Sequence, residues 1–311
     1  MTVEILMPRP VLASVDEALA REFTVHRLWE AEDREAFLAE LGPRIRGIAT
    51  FHGCDAGLMQ ACPKLEIVSS FGVGYDNVDT RYAREHGIRV CNTPGVLDDA
   101  VAELAFGLMI SLCRRIPQTD RYVREGRWAR EGNYDFTGEL TGAVVGVLGL
   151  GRIGKAFALR AQAFKMRVVY HGRSEQAYVP YIYYPDLEAM ARDVDWLVCI
   201  APGGEATRGI ISRRVLEALG PEGCLVNIGR GSAVDEPAMV EMLRSGALGG
   251  AALDVFADEP NVPQALIALD NVVLSPHQGS ATHQTRRKMG ELVVANLDAH
   301  FAGDPLPSAV A

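Results

Sequence analysis

No two cysteines of the chain stand at the C-x-x-C spacing. The six present, Cys54, Cys62, Cys91, Cys113, Cys199 and Cys224, are widely separated, and several lie in apolar runs. That distribution lacks the common zinc spacings, so no metal is expected, and it predicts buried thiols in a reducing, cytoplasmic setting. No lysine- and arginine-rich run occurs and the net charge is −9, which argues against nucleic acid as a partner. No apolar stretch approaches the ~20 residues of a membrane helix, so no membrane partner is expected. The opening MTVEILMPRP has no basic segment leading into an apolar one, so no signal peptide is expected. No repeat of solenoid period is visible. Against these absences stand 311 residues, 48% hydrophobic and 23% charged, enough for one large or two ordinary soluble domains with real cores.

Apolar runs alternate with helical patterns from the start. Residues 3–7 read as a strand closed by Pro8 and Pro10, and helical patterns follow at 15–23 and 32–46. Further strands are expected at 47–51, 65–69 and 88–91, with helices at 55–61 and 78–86. Pro94-Gly95 breaks the pattern. A long helix at about 100–115, capped by Asp98, is apolar on most sides and so belongs in a core or an interface. An irregular stretch with Trp128, Tyr134 and Phe136 comes next. Strands are then expected at 144–148, 166–170, 195–201, 224–228, 250–255 and 271–275, six in all, the number of a full doubly wound dinucleotide fold. A helix from about 282 to 301 lies beyond the sixth strand and is free to return to the first unit. The expected fold is α/β with two Rossmann-like, doubly wound domains: a discontinuous outer domain of residues 1–97 plus 286–311, and a dinucleotide-binding domain of residues 98–285.

The stretch AVVGVLGLGRIG, residues 143–154, organises the second domain. A strand runs into Gly149-Leu-Gly151-Arg152-Ile153-Gly154, and a helical pattern follows. Glycine is a tenth of this chain, so the flanking strand and helix, not the glycines alone, carry the assignment. Gly149 serves the tight turn, Gly151 lets backbone approach a pyrophosphate, and Gly154 lets helix pack on strand. The helix N-terminus at Arg152 and Ile153 offers N–H groups to the phosphates.

In an open α/β sheet the ligand sits outside the carboxyl ends of the strands. After Ile228 comes Gly229-Arg230-Gly231, after Val255 come Asp258 and Glu259, and after Ser275 comes Pro276-His277. Each residue alone has an ordinary reading: Arg230 as surface charge, Glu259 as loop acid, His277 as buried imidazole. Together at one edge they suit a 2-oxo or 2-hydroxy acid. A guanidinium binds a carboxylate or carbonyl oxygen with paired donors. An imidazole exchanges a proton near neutrality, and a carboxylate on its other nitrogen sets the tautomer.

Nearly the whole chain resembles the D-isomer-specific 2-hydroxyacid dehydrogenases. The resemblance runs through Phe71-Gly-Val-Gly-Tyr-Asp-Asn-Val-Asp79, Asn92-Thr-Pro-Gly, Asp99-Ala-Val-Ala-Glu103, the glycine turn, Val226-Asn-Ile-Gly-Arg-Gly231, Leu253-Asp-Val-Phe-Ala-Asp-Glu-Pro260 and Ser275-Pro-His-Gln-Gly-Ser-Ala-Thr282. It implies the formate/glycerate dehydrogenase-like architecture. It further implies that Arg230 orients the substrate, Glu259 partners His277, and His277 is the acid/base. The N–H groups of Val73 and Gly74 would hold the substrate carboxylate. Val101 and Asp254 would flank the nicotinamide, with Pro202, Thr207, Ile228 and Gly279 also lining the cofactor. The long helix near 100–115 would contribute to a homodimer. The implied reaction is hydride transfer to C2 of a 2-oxo acid while His277 supplies a proton, giving the D alcohol.

The strand after the glycine helix ordinarily ends in an acid that binds the ribose hydroxyls. Here Gly172 stands in that place and Arg173-Ser174 follow, which favours NADP(H) because nothing repels a 2′-phosphate and two groups can bond it. NAD(H), served by Glu175 or the His171 region, is the alternative. Arg121-Tyr-Val-Arg-Glu-Gly-Arg-Trp128 and Asp235-Glu-Pro237 resemble the glyoxylate/hydroxypyruvate reductase branch, which also includes 2-ketogluconate and hydroxyphenylpyruvate reductases. His52, near the substrate by fold position, departs from the small aliphatic residues expected there; it either bonds a substrate hydroxyl or caps a loop. His26, His86, His171, His283 and His300 read as surface or structural. Two rivals stay open: an NAD-dependent enzyme of another branch, such as a phosphoglycerate dehydrogenase, and a dinucleotide-sensing binding protein on the same fold.

Overall fold

The computed structural model describes residues 2–51 and 53–310. The chain forms two compact units, Met1–Leu97 with Ser280–Ala311, and Asp98–Gly279. The second crossing therefore falls ahead of the last helix, at 279–280, where the sequence suggested 285–286.

The first unit runs β1 (Glu4–Met7), α1 (Ala13–Glu22), β2 (Thr24–Arg27), α2 (Arg34–Leu41), β3 (Gly47–Thr50), α3 (Ala56–Gln60), β4 (Ile67–Ser70), α4 (Thr80–Glu85) and β5 (Arg89–Cys91). Its parallel strands lie in the order β2-β1-β3-β4-β5, a doubly wound order with a switch point beside β1. β3 and β4 are buried throughout, as strands covered on both faces must be. β2 was not expected from the sequence. Its four residues, TVHR, form a polar edge strand, with Arg27 bonded twice to Asp16 (2.9 and 2.6 Å) and His26 to Glu4 (2.7 Å). The expected helix at 32–46 stops at Leu41, because Gly42-Pro43 turn it into a single 3₁₀ turn.

The second unit runs α5 (Asp98–Cys113), α6 (Ile116–Arg124), α7 (Arg127–Glu131), β6 (Val144–Leu148), α8 (Arg152–Ala163), β7 (Arg167–His171), β8 (Ile182–Tyr183), α9 (Leu187–Arg192), β9 (Trp196–Cys199), α10 (Arg213–Leu219), β10 (Cys224–Asn227), α11 (Glu236–Ser245), β11 (Gly250–Leu253), α12 (Gln264–Ile267) and β12 (Val272–Leu274). The parallel order β12-β11-β10-β9-β6-β7-β8 is the doubly wound dinucleotide topology extended by one strand. Seven strands stand where the sequence suggested six. The extra one is β8, two residues between Pro180 and Pro185, too short to carry a periodicity.

The stretch after α5 is not irregular. Arg115 takes a left-handed turn (φ 50°), Pro117 opens α6 where its missing N–H costs nothing, and Gly126 (φ 66°) separates α6 from α7, which carries Trp128. α5 starts at Asp98, which sits in its first turn with Asp99 rather than capping a helix at 100. Phe106 of α5 stacks on Phe157 and Phe164 (4.6 and 5.1 Å), and Arg160 of α8 reaches Asp99 and Glu103 (2.9 and 3.3 Å). The D-A-V-A-E motif thus fastens α5 to α8.

The last helix, α13 (His283–Ala302), belongs to the first unit. Thr282 caps it on the N–H of Thr285 at 3.0 Å, and Gly303 ends it at φ 79°. Ser69 of β4 bonds the carbonyl of Val293 (3.2 Å), while buried Ser308 bonds the Asn92 carbonyl (2.7 Å) and Asn296 (2.9 Å). Among the described residues no helix is long and apolar enough to cross a membrane.

Candidate active site

The three glycines of the turn do different work, and the packing shows it. Gly149 has φ 99°, and a Cβ there would lie 3.0 Å from the N of Ala201. A Cβ on Gly154 would lie 2.2 Å from the Gly149 carbonyl oxygen, so helix and turn close only without a side chain. Gly151, which precedes the first residue of α8, faces open space: a Cβ there would meet nothing within 4 Å. Two glycines therefore let the turn and helix close, and the third faces open space at the helix start. Arg152 is exposed and Ile153 half-buried at the helix start. The residues fit a dinucleotide pyrophosphate.

Of the residues assigned to the cofactor's other end, Val101, Asp254 and Gly279 come together. Asp254, 1% exposed, accepts from Ser275 Oγ (2.6 Å) and from the N–H groups of Gln278 (2.7 Å) and Gly279 (2.8 Å). Burial pushes its carboxyl above the usual range, with those hydrogen bonds opposing. A Cβ on Gly279 would stand 3.2 Å from Asp254 and 3.4 Å from Val101, so the three form one patch. Thr207 Oγ1 donates to the Pro202 carbonyl at 2.7 Å, and Ile228 is buried after β10.

At the ends of β10, β11 and β12 stand Arg230, Glu259 and His277. Glu259 Oε2 lies 2.7 Å from His277 Nδ1, and its Oε1 accepts from the N–H of Phe256 at 3.0 Å. Burial pushes the Glu259 carboxyl up. The bonds from His277 and Phe256 and the charges of His277 and Arg230 outweigh it, and the carboxyl ends below the usual range. An ionised carboxylate only accepts, so Nδ1 carries the proton and Nε2 is the end that can exchange one. The ring's side chain is 50% exposed, which leaves Nε2 open. His277 itself sits at φ 53°, a conformation histidine adopts more readily than most residues, with its N–H on the carbonyls of Asp254 (2.9 Å) and Ser275 (3.1 Å).

Arg230 is half-buried, with Nη1 on the Gly229 carbonyl at 2.8 Å. Its loop is bracketed by Asn227, 1% exposed, which donates to the Arg230 carbonyl (2.9 Å) and accepts from the Gly229 N–H (3.1 Å). A Cβ on Gly231 would fall 1.9 Å from the Phe256 backbone, so this glycine lets the Arg230 loop touch the loop that ends in Glu259. Asn227 and Ser275 were not singled out from the sequence, although both lie within motifs quoted above.

Arg173 and Ser174 are exposed after β7, with no partner among the described residues, and a Cβ on Gly172 would meet nothing within 4 Å. In the first unit, the Val73 carbonyl accepts from Asn92 Nδ2 (2.8 Å) and the Gly72 carbonyl from the Thr93 N–H (2.9 Å), so Asn92-Thr-Pro-Gly secures the 71–74 loop. The N–H groups of Val73 and Gly74 reach no acceptor among the described residues. His52 lies outside the described residues. Four other histidines are tied structurally: His26 to Glu4 (2.7 Å), His86 to the Tyr82 carbonyl (2.9 Å), His171 to the Tyr184 carbonyl (2.8 Å) and His300 to Glu66 (3.2 Å). Among the described residues no group of three acids, histidines or cysteines could hold a metal.

Comparison with known proteins identifies the family. Residues 106–279 match the model of the D-isomer specific 2-hydroxyacid dehydrogenase NAD binding domain. The chain is 45% identical to glyoxylate/hydroxypyruvate reductase A of Arabidopsis thaliana over 307 residues, 98% of each chain. It is 47% identical to hydroxyphenylpyruvate reductase of Plectranthus scutellarioides over 306 residues, 98% of this chain and 97% of the relative. Among solved structures it resembles the NADPH-dependent glyoxylate/hydroxypyruvate reductase of Sinorhizobium meliloti in complex with NADP and malonate. That likeness has a TM-score of 0.96 at 44% identity and covers 100% of this chain and 97% of the other. The chain belongs to the D-isomer-specific 2-hydroxyacid dehydrogenases, NAD(P)-dependent oxidoreductases, and groups with their glyoxylate/hydroxypyruvate reductase-like branch.

Proposed function

We propose that the chain reduces a small 2-oxo acid, glyoxylate or hydroxypyruvate and as a further candidate 2-ketogluconate, to the D-2-hydroxy acid with NADPH. The observation that carries this is the Glu259–His277 pair at 2.7 Å, with Nε2 open and the Arg230 loop packed against the Glu259 loop. Arg230 holds a carboxylate or carbonyl oxygen through paired donors and polarises the carbonyl. The free N–H groups of Val73 and Gly74 are assigned to the substrate carboxylate by the family resemblance. His277 delivers a proton from Nε2 to the substrate oxygen, and ionised Glu259 balances the imidazolium. When bound, the nicotinamide supplies the hydride.

NADPH is preferred over NADH because no acid ends β7 and because Arg173 and Ser174 are free to take a 2′-phosphate. A homodimer is supported by exposed Ile116, Val123, Trp128 and Phe136, apolar residues concentrated in one segment of the second unit. Six free cysteines, four of them buried, suit the reducing cytoplasm.

The test is a panel of glyoxylate, hydroxypyruvate, 2-ketogluconate, hydroxyphenylpyruvate, pyruvate and 3-phosphohydroxypyruvate, each with NADPH and NADH. Higher kcat/KM for glyoxylate or hydroxypyruvate with NADPH supports the reading. Preference for NADH with the phosphorylated acid would move the chain to another branch, and no turnover at all would favour a sensing role.

A further inference from the structure

The five residues that follow β7 are fastened at both ends. Tyr183 Oη donates to the Gly172 carbonyl at 3.2 Å, and the N–H of Gln176 donates to Tyr170 Oη at 2.7 Å. Those two rings lie on the paired strands β7 and β8 with centroids 5.3 Å apart, and Tyr170 is only 1% exposed. A third bond crosses to the glycine turn, where Gln176 Nε2 donates to the Leu150 carbonyl at 2.8 Å, between Gly149 and Gly151. Arg173 and Ser174 lie between the anchored ends. A carbonyl can only accept, so the tie requires a donor at 176 that reaches from the loop to the turn, which the glutamine amide provides.

We propose that Gln176 is a positioning residue for 2′-phosphate recognition: its side chain locks the Arg173-Ser174 loop to the phosphate-binding turn before cofactor arrives. This rests on the reading of the chain as NADPH-dependent. Without the tie, the loop must be ordered during binding, and that ordering is subtracted from affinity. The loss should fall on the 2′-phosphate alone, because the adenosine and 5′-phosphate do not depend on Arg173 or Ser174.

The experiment measures binding of 2′,5′-ADP and 5′-AMP by titration calorimetry to the wild-type chain, Gln176→Met, which keeps the volume and removes the donor to Leu150, and Tyr170→Phe, which removes the acceptor of the Gln176 N–H. The expected result is wild-type preference for 2′,5′-ADP, reduced about five- to tenfold in Q176M and in the same direction in Y170F, with 5′-AMP binding unchanged. Retention of the full preference in a Q176M protein that melts like wild type would overturn the inference alone. Equal binding of both nucleotides by the wild type would overturn the NADPH reading, and the inference with it.

Discussion

Glu259 accepts a hydrogen bond from Nδ1 of His277 at 2.7 Å, and that bond decides which end of the imidazole is occupied. The ring is held from below by its own backbone in a left-handed turn and from the side by a carboxylate kept ionised by its neighbours. Nε2 is left as the exchanging atom.

Removing the carboxylate while keeping its shape should therefore lower the rate. In Glu259→Gln the acceptor that holds the proton on Nδ1 is gone, so Nε2 is no longer fixed as the exchanging end. The maximal kcat should drop roughly 10- to 100-fold, less than for loss of the proton donor itself. Stability responds through the same carboxylate. A carboxyl lowered by folding contributes above its unfolded range, so the wild-type advantage over E259Q should shrink as pH falls through the lowered value. Steady-state kcat and urea midpoints across pH check both.

Arg230→Lys should not rescue Arg230→Ala. A lysine gives one compact charge where a planar fork is needed, so both variants should lose about 10²–10³ in kcat/KM for hydroxypyruvate. NADPH affinity, measured by fluorescence quenching, should stay within about twofold of wild type, because Arg230 is assigned to the substrate.

The glycine turn predicts a separation of stability from binding. Gly154→Ala forces a Cβ against the Gly149 carbonyl at 2.2 Å and should cost about 2–3 kcal/mol, seen as a melting midpoint lowered by roughly 4–12 °C. Gly151→Ala meets nothing within 4 Å in a backbone conformation open to alanine, so the midpoint should hold. Its methyl fills the space kept for a phosphate, and cofactor affinity should fall at least about tenfold.

Burial pushes the thiols of Cys62, Cys91 and Cys199 up to about 11 and that of Cys224 up to about 12. Raised values mean less thiolate at neutral pH, and thiolate is the reactive form. An aromatic disulfide reagent at pH 7.5 should label these four slowly or not at all in the native protein and all six cysteines after denaturation.

These residues show what a sequence can and cannot display. The strands around the nucleotide site are runs of buried apolar residues, so their places were legible to within a few residues, and the trio was legible because strand ends mark a ligand crevice. The glycine turn could be read down to the tight turn at Gly149 and the close packing at Gly154. β8 could not, since Ile182–Tyr183 is defined only by pairing with β7. α6 and α7 were hidden by Pro117 and Gly126, which break helices in general but here start one and separate two. The bond from Gln176 to Leu150 joins residues 26 apart through a tertiary turn, and no periodicity records it.

The most direct test of the account compares wild type with His277→Gln in steady-state reduction of hydroxypyruvate by NADPH, with NADPH affinity measured in parallel. A glutamine keeps a polar side chain but cannot exchange a proton near neutrality. The account predicts a fall in kcat of about 10²–10⁴-fold with unchanged NADPH affinity, because His277 gives the proton and does not bind the cofactor. Turnover within a fewfold of wild type would contradict it.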